Sequence, residues 1–181
     1  MINELKELLK IEYASCFCSI REIAKDDKNE ETPLNDNFIL LNFDEGVVKN
    51  FFKSEGIKTV DTVDIQGENI NLIEFKNGIV KKEKDAIKLK GIESILILFQ
   101  ILKTKNLIKN FKEIFDYNIN YYVVLNSEKN EKYFNITRGR LDKNEKLSRL
   151  YPDYQGTYFK RVEILSFEQF SELYLKKYYS N

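Results

Sequence analysis

Apolar positions along the chain switch between helical and extended spacing. Ile2, Leu5, Leu8, Leu9 and Tyr13 recur every three to four residues, which predicts an amphipathic helix over 2–14. A short apolar strand is expected near Phe17 to Ile23. The charged, proline-containing run 25–37 then reads as an exposed loop. Phe38 to Phe43 is apolar again, and Asp44 to Ser54 reads as a second helix stopped by Gly56. The most regular piece follows. Two extended segments, Thr59 to Ile65 and Ile70 to Lys76, flank the turn signal Gln66-Gly67-Glu68-Asn69 and predict a β-hairpin.

From Lys84 to Lys105 the pattern is helical, with apolar residues over most of the circumference, so this helix is expected to pack inside the fold across a sheet. Ile119 to Leu125 and Tyr158 to Leu165 read as strands. Ser166 and Gln169 have capping-box spacing and open a final helix through Tyr178. The order implies an α/β fold, a central mixed β-sheet flanked by helices, as a single domain over 1–181.

Composition narrows the chemistry. The chain has 181 residues, enough for one sizeable core, and its 29 basic and 29 acidic residues cancel. No overall positive field announces nucleic acid, so any such contact must come from a local patch. Histidine is absent, which excludes Ser-His and Cys-His dyads and the commonest transition-metal ligand. Catalysis would have to use carboxylates and lysines, and a metal would be hard, magnesium or manganese. Cys16 and Cys18 are expected on one face of a strand as buried thiols, which suits a reducing cytoplasm. The amino terminus lacks a signal peptide's apolar stretch, and the longest apolar run, Ile95 to Phe99, cannot span a bilayer. The expected location is cytoplasmic, without membrane contact.

A carboxylate two residues before a lysine occurs at Glu4-Leu-Lys6, Asp26-Asp-Lys28 and Glu74-Phe-Lys76. Only the third ends a strand whose partner carries acids. If the hairpin closes around Gly67-Glu68, residue 66 faces 69 and Asp61 faces Glu74, with Cβ atoms about 4.5–5.5 Å apart. Alternation then places Asp61, Val63, Ile65, Ile70, Leu72, Glu74 and Lys76 on one face, and Asp64 on the other, opposite Asn71. A one-residue bulge would put Asp64 in the place of Asp61.

Two such close carboxylates repel unless a cation neutralises them. A divalent ion held by Asp61, Glu74 and the backbone carbonyl of Phe75 would do so. Lys76, on the same face, would orient a water and offset charge developing on a phosphate. The bland alternative is an ordinary cross-strand ion pair, which stabilises little. Against it, Leu72-Ile73-Glu74-Phe75 is apolar on both strand faces, a costly place for a carboxylate without a partner.

The stretch VDTVDIQGENINLIEFKNG (Val60 to Gly78), followed by the apolar helix KLKGIESILILFQILK, resembles the PD-(D/E)XK nuclease superfamily. The resemblance covers under a third of the chain. It implies a restriction-endonuclease-like core, with Asp61, Glu74 and Lys76 as catalytic residues around magnesium. The superfamily's nominal proline before the aspartate is missing, with Thr59 and Val60 in its place. An acidic residue from a preceding helix is frequent among members, and Glu45 or Asp44 matches that pattern. Lys90, Glu93 and Ser94 lie on the helix where members place auxiliary residues, and Lys90 and Ser94, one turn apart, are expected to face the metal together.

Between Lys132 and Tyr151 basic residues outnumber acidic ones, and three of the five arginines lie there. Arg138, Arg140, Lys143 and Arg149, with nearby tyrosines, are candidates for gripping phosphates and stacking on bases. Phe167, Phe170, Tyr174, Tyr178 and Tyr179 recur at helical spacing and are expected to be core or a homodimer contact. The expected function is hydrolysis of phosphodiester bonds in DNA, with RNA open, in a phage-, defence- or mobile-element-associated setting. The alternative, motivated by zero net charge and small size, is a catalytically inactive binding or inhibitor protein on the same scaffold.

Overall fold

The computed structural model describes residues 2–25, 34, 37–53, 56–80, 84–134 and 154–179. Its main sheet has four strands, β3 (Thr62–Gln66), β4 (Asn69–Lys76), β5 (Asn118–Leu125) and β6 (Arg161–Ser166), in that spatial order. β3 and β4 are antiparallel, joined by the two-residue turn Gly67-Glu68 in which Gly67 takes φ +58°. β5 and β6 run parallel to β4. The connection from β4 to β5 runs through α3 (Lys84–Thr104), as parallel neighbours require. The sheet is therefore mixed and flanked by helices, as the hydrophobic pattern implies.

Helices cover both faces. Val63, Ile65, Ile70 and Leu72 of the hairpin pack with Ile87, Ile95 and Leu98 of α3 and with Leu5 and Leu9 of α1 (Ile2–Glu12). On the opposite face Ile73, Phe75, Tyr122 and Val124 meet Phe167, Phe170 and Tyr174 of the C-terminal helix. Each fully buried side chain of this kind contributes roughly 1.5–3 kcal/mol. α3 lies on the sheet as expected but is not enclosed all round, since Leu89 and Leu96 are exposed. Its approach to β5 depends on Gly91. A Cβ there would stand 3.0 Å from both Tyr121 Cε1 and Phe159 Cζ.

The amino-terminal half departs from its hydrophobic pattern in identifiable places. The expected strand Phe17 to Ile23 is cut to β1 (Phe17–Ser19), because Ser19 and Glu22 form a capping box that turns the chain into α2 (Ile20–Ile23). Cys16 and Cys18 do not share a strand face, because Cys16 closes the 3-10 turn Ala14–Cys16 ahead of β1. Cys16 is buried in the core under α3, whereas Cys18 packs against the opposite core and lies near the Asn42 amide. β1 pairs with β2 (Ile39–Leu41) as a separate two-stranded sheet, tied to the main one by the bridge Asn42 to Thr62.

The helix expected over Asp44 to Ser54 is a π-helix, Phe43–Phe52, that stops at Lys53 in left-handed conformation rather than at Gly56. Gly46 lets it press on Cys16, whose Cβ would lie 2.8 Å from any added methyl. The last strand starts at Arg161 instead of Tyr158. The amides of Tyr158 and Phe159 both turn back to the Tyr154 carbonyl, which keeps these residues out of the sheet. Ser166 and Gln169 form the expected capping box, and helix continues from there to Tyr179. Phe167, Phe170 and Tyr174 are core.

Candidate metal centre

Asp61 and Glu74 meet where the hairpin stops being a hairpin. The register Thr62↔Ile73 to Gln66↔Asn69 brings position 61 opposite 74, and Asp64 opposite Asn71 on the other face. At Asp61 the ladder ends. Lys76 gives its carbonyl to the Asn126 amide beyond β5, so by strand alternation the peptide groups of Phe75 point the other way, toward β3. There the Phe75 amide donates to Asp61 Oδ2 at 2.6 Å. The Val60 amide, which a continued ladder would aim at the Phe75 carbonyl, donates instead to Ser94 Oγ at 2.9 Å. The split leaves the Asp61 carboxylate and the Phe75 carbonyl at one opened edge.

Lys90 reaches this edge from α3. Its ammonium stands 2.8 and 3.0 Å from the two oxygens of Glu74 and 3.4 Å from Asp61 Oδ1. Lys76 Nζ lies 3.3 Å from Glu74 Oε1 and is about a quarter exposed. Glu74 has no exposed surface at all, while 19% of the Asp61 side chain reaches solvent. Burial, and then the charge of Asp61, push Glu74 up to about 8, against the pull of Lys90 and Lys76. Burial also raises Asp61, opposed by Lys90 and by the Phe75 amide. For Lys90 burial opposes the charge, but the two carboxylates outweigh it and raise its pKa above the ordinary lysine range.

A cleft of about 700 Å³ opens above this cluster. Asp44, Asp61, Lys76 and Lys90 line it, with the exposed Lys49 and Lys58 farther out. No family model, no curated protein and no solved structure matches the chain. What the site can do therefore follows from its own geometry.

The other candidate residues take distinct places. Of the acidic pair at the start of the π-helix, Asp44 turns inward. Its Oδ1 accepts the Thr59 hydroxyl at 2.6 Å and the Thr59 amide at 3.4 Å, close enough to Asp61 to act on its charge. Glu45 also borders the cleft but is exposed and paired with Lys49. Ser94 does not face the carboxylates together with Lys90. It is buried one turn away, accepting the Val60 amide and donating to the Lys90 carbonyl at 2.7 Å, so it positions the strand end. Glu93 likewise accepts the Lys58 amide. Arg138, Arg140, Lys143 and Arg149 lie outside the described residues.

Sequence reading missed two groups of positioning residues. Asn42 caps the π-helix by accepting the amides of Glu45 and Gly46, and so aims Asp44 at the cleft. An asparagine just before an acidic helix start was the available signal. Asn130 binds the Val80 amide, the Gly78 carbonyl and the Asn126 carbonyl, fixing the chain that leaves Lys76. Nothing local in the sequence links 130 to 78.

The oxygen set suits a hard divalent cation. Glu74 Oε1 is fully buried, and the ammonium groups of Lys90 and Lys76 stand 2.8 and 3.3 Å from it without forming a well-aligned hydrogen bond. Asp61 and the Phe75 carbonyl face the same opening, and magnesium is commonly held by one or two carboxylates with water and phosphate filling the rest. Among the described residues no three His, Cys, Asp or Glu side chains converge. Among them too, no helix is long and apolar enough to cross a membrane.

Proposed function

We propose that the chain is a metal-dependent nuclease of the PD-(D/E)XK kind, hydrolysing phosphodiester bonds in DNA, with RNA as the second substrate to be tested. The observation that carries this reading is the meeting of Asp61 and Glu74 at the split end of the hairpin, with Lys76 and Lys90 beside them under an open cleft. The order of hairpin, apolar helix and parallel strand supports a restriction-endonuclease-like core. So does the site's location at the carboxyl end of β4, where α/β sheets commonly bind ligands. The two free cysteines suit a cytoplasmic protein.

Magnesium or manganese would be held by Asp61, Glu74 and the Phe75 carbonyl, and would supply Lewis-acid polarisation and an activated water. The chain's own residues do the remaining work. Lys76, within reach of Glu74 yet open to the cleft, orients the attacking water and offsets charge gathering on the phosphate. The Phe75 amide fixes the Asp61 carboxylate, and Ser94 holds Val60 back so that the opening persists. Asp44, tied to Thr59, keeps the strand entry to Asp61 in place.

The test is incubation of purified protein with single- and double-stranded DNA and RNA in the presence of manganese. Cleavage of one of them is expected, and Glu74→Gln or Lys76→Ala should abolish it. Cutting that survives both substitutions would sink the assignment. A second reading, a non-catalytic binding or inhibitor protein, is favoured by one observation: Lys90 already stands between the two carboxylates as a counter-ion from within the chain. Calorimetric titration with manganese separates the two, since this second reading expects no binding that depends on Asp61 and Glu74.

A further inference from the structure

Lys90 holds the most constrained ammonium among the described residues of the cleft. It bridges both carboxylates, at 2.8 and 3.0 Å from Glu74 and 3.4 Å from Asp61, with only 15% of its side chain exposed. The three oxygens it contacts belong to the same two side chains assigned above to a divalent ion. A magnesium ion needs oxygens at about 2.0–2.1 Å. At the point equidistant from Asp61 and Glu74 it would sit within a few ångströms of an unmoved Nζ, where two cations repel strongly in a partly desolvated site. The lysine stem is flexible, whereas the helix beneath it is fixed by Gly91 packing on Tyr121 and by the Tyr121 hydroxyl on the Ile87 carbonyl. Only the side chain can yield.

We infer that Lys90 is an internal counter-ion standing in the divalent-metal position, a positioning residue that stabilises the metal-free protein and is displaced when the metal binds. This rests on the metal-dependent reading above and adds a regulatory element to it. Lys90 offsets carboxylate charge while the site is empty, supports folding without metal, and sets a threshold on metal affinity through the cost of moving one ammonium. An auxiliary lysine that assists metal binding would act in the opposite direction. So the sign of one substitution decides.

Manganese affinity, measured by calorimetry, and thermal melting with and without manganese are compared in wild type, Lys90→Met and Lys90→Gln. Lys105→Met serves as a control, because Lys105 pairs with Glu12 and does not border the cleft. Both Lys90 variants should bind manganese about tenfold more tightly than wild type, the factor produced by removing one neighbouring like charge of ordinary effect. Without metal they should melt below wild type, and manganese should raise their melting temperature more than it raises that of wild type. The control should follow wild type in all three measurements.

If Lys90→Met folds only when manganese is added, that too supports the counter-ion role. Equal or weaker manganese binding by Lys90→Gln, with wild type binding normally, overturns it and leaves the metal-dependent reading standing. If neither wild type nor either Lys90 variant binds manganese, the metal-dependent reading itself fails, and the counter-ion role with it.

Discussion

The Phe75 amide donates a 2.6 Å hydrogen bond to the Asp61 carboxylate, where an unbroken hairpin would offer it the Val60 carbonyl. One side chain thus replaces a backbone partner, and the strand edge opens without leaving this amide unsatisfied. Asp61 therefore has two separable tasks. Asp61→Asn keeps an oxygen for the amide but loses the charge, so it should fold with little change in stability and lose manganese binding and cleavage. Asp61→Ala also strands the amide in a partly buried place and should cost about 1–3 kcal/mol more. Chemical denaturation of the two variants checks this. Equal stabilities would show that the hydrogen bond does not hold the split end.

Glu74 gives the metal-free protein a distinctive pH dependence. Its carboxyl is pushed up to about 8 in the fold, from an ordinary value of 4.5, by burial and then by Asp61. Between these limits the folded chain holds a proton that the unfolded chain has released, so stability should fall as pH rises from about 4.5 toward about 8. Asp61, also raised, adds to the same trend. Metal binding expels that proton, so manganese affinity should climb over the same window. Thermal melts in a chelator across this range should show the slope in wild type and a much weaker one in Glu74→Gln. An unchanged slope in the variant would place the proton elsewhere.

Much of the site was legible because strand alternation is strict. Once Gly67-Glu68 was taken as a two-residue turn, the exclusion of Asp64 to the opposite face followed and is found, while 61 and 74 fall one step past the last ladder pair, Thr62 with Ile73. What resisted was whatever depends on contacts distant in sequence. Ser94 and Lys90 lie one turn apart on α3, which sequence spacing reads as a common facing. Instead the helix meets the split strand so that Lys90 reaches the carboxylates while Ser94 reaches the Val60 amide. The π-helical winding of Phe43–Phe52, in which Asp44 turns inward, Glu45 outward and Gly46 approaches Cys16, likewise has no signature in a 3.6-residue period. The short β1 could have been read from the Ser19 and Glu22 spacing, whose capping box outweighs the apolar run around it.

Gly91 is a close-approach glycine in the middle of a helix, where alanine would ordinarily be favoured by about 1 kcal/mol. Tyr121 cannot easily retreat, being buried and tied by its hydroxyl to the Ile87 carbonyl at 2.6 Å. Gly91→Val should therefore destabilise by about 1–3 kcal/mol through overpacking and push α3 off the sheet. Since α3 carries Lys90, manganese affinity should change as well, which a purely local defect would not cause. Denaturation and calorimetry on the same variant read both effects.

Asp64 shows how a carboxylate next door to the site is removed from its chemistry. On the opposite face its Oδ2 accepts the Tyr174 hydroxyl at 2.7 Å, and both its oxygens accept the Gln66 amide at 3.1–3.2 Å. The Tyr174 bond joins β3 to the C-terminal helix and the Gln66 bonds stay within β3, so the acid is occupied rather than open to a metal. Tyr174→Phe removes one donor from a buried charge and should cost about 1–3 kcal/mol, or a fall in Tm of about 2–4 °C per kcal/mol for a chain of this length. Manganese affinity and cleavage per folded molecule should stay at wild-type values, because Asp61 and Glu74 lie across the sheet. A selective loss of metal binding in Tyr174→Phe, with Tm unchanged, would mean that Asp64 belongs to the centre and that the register argument chose the wrong aspartate.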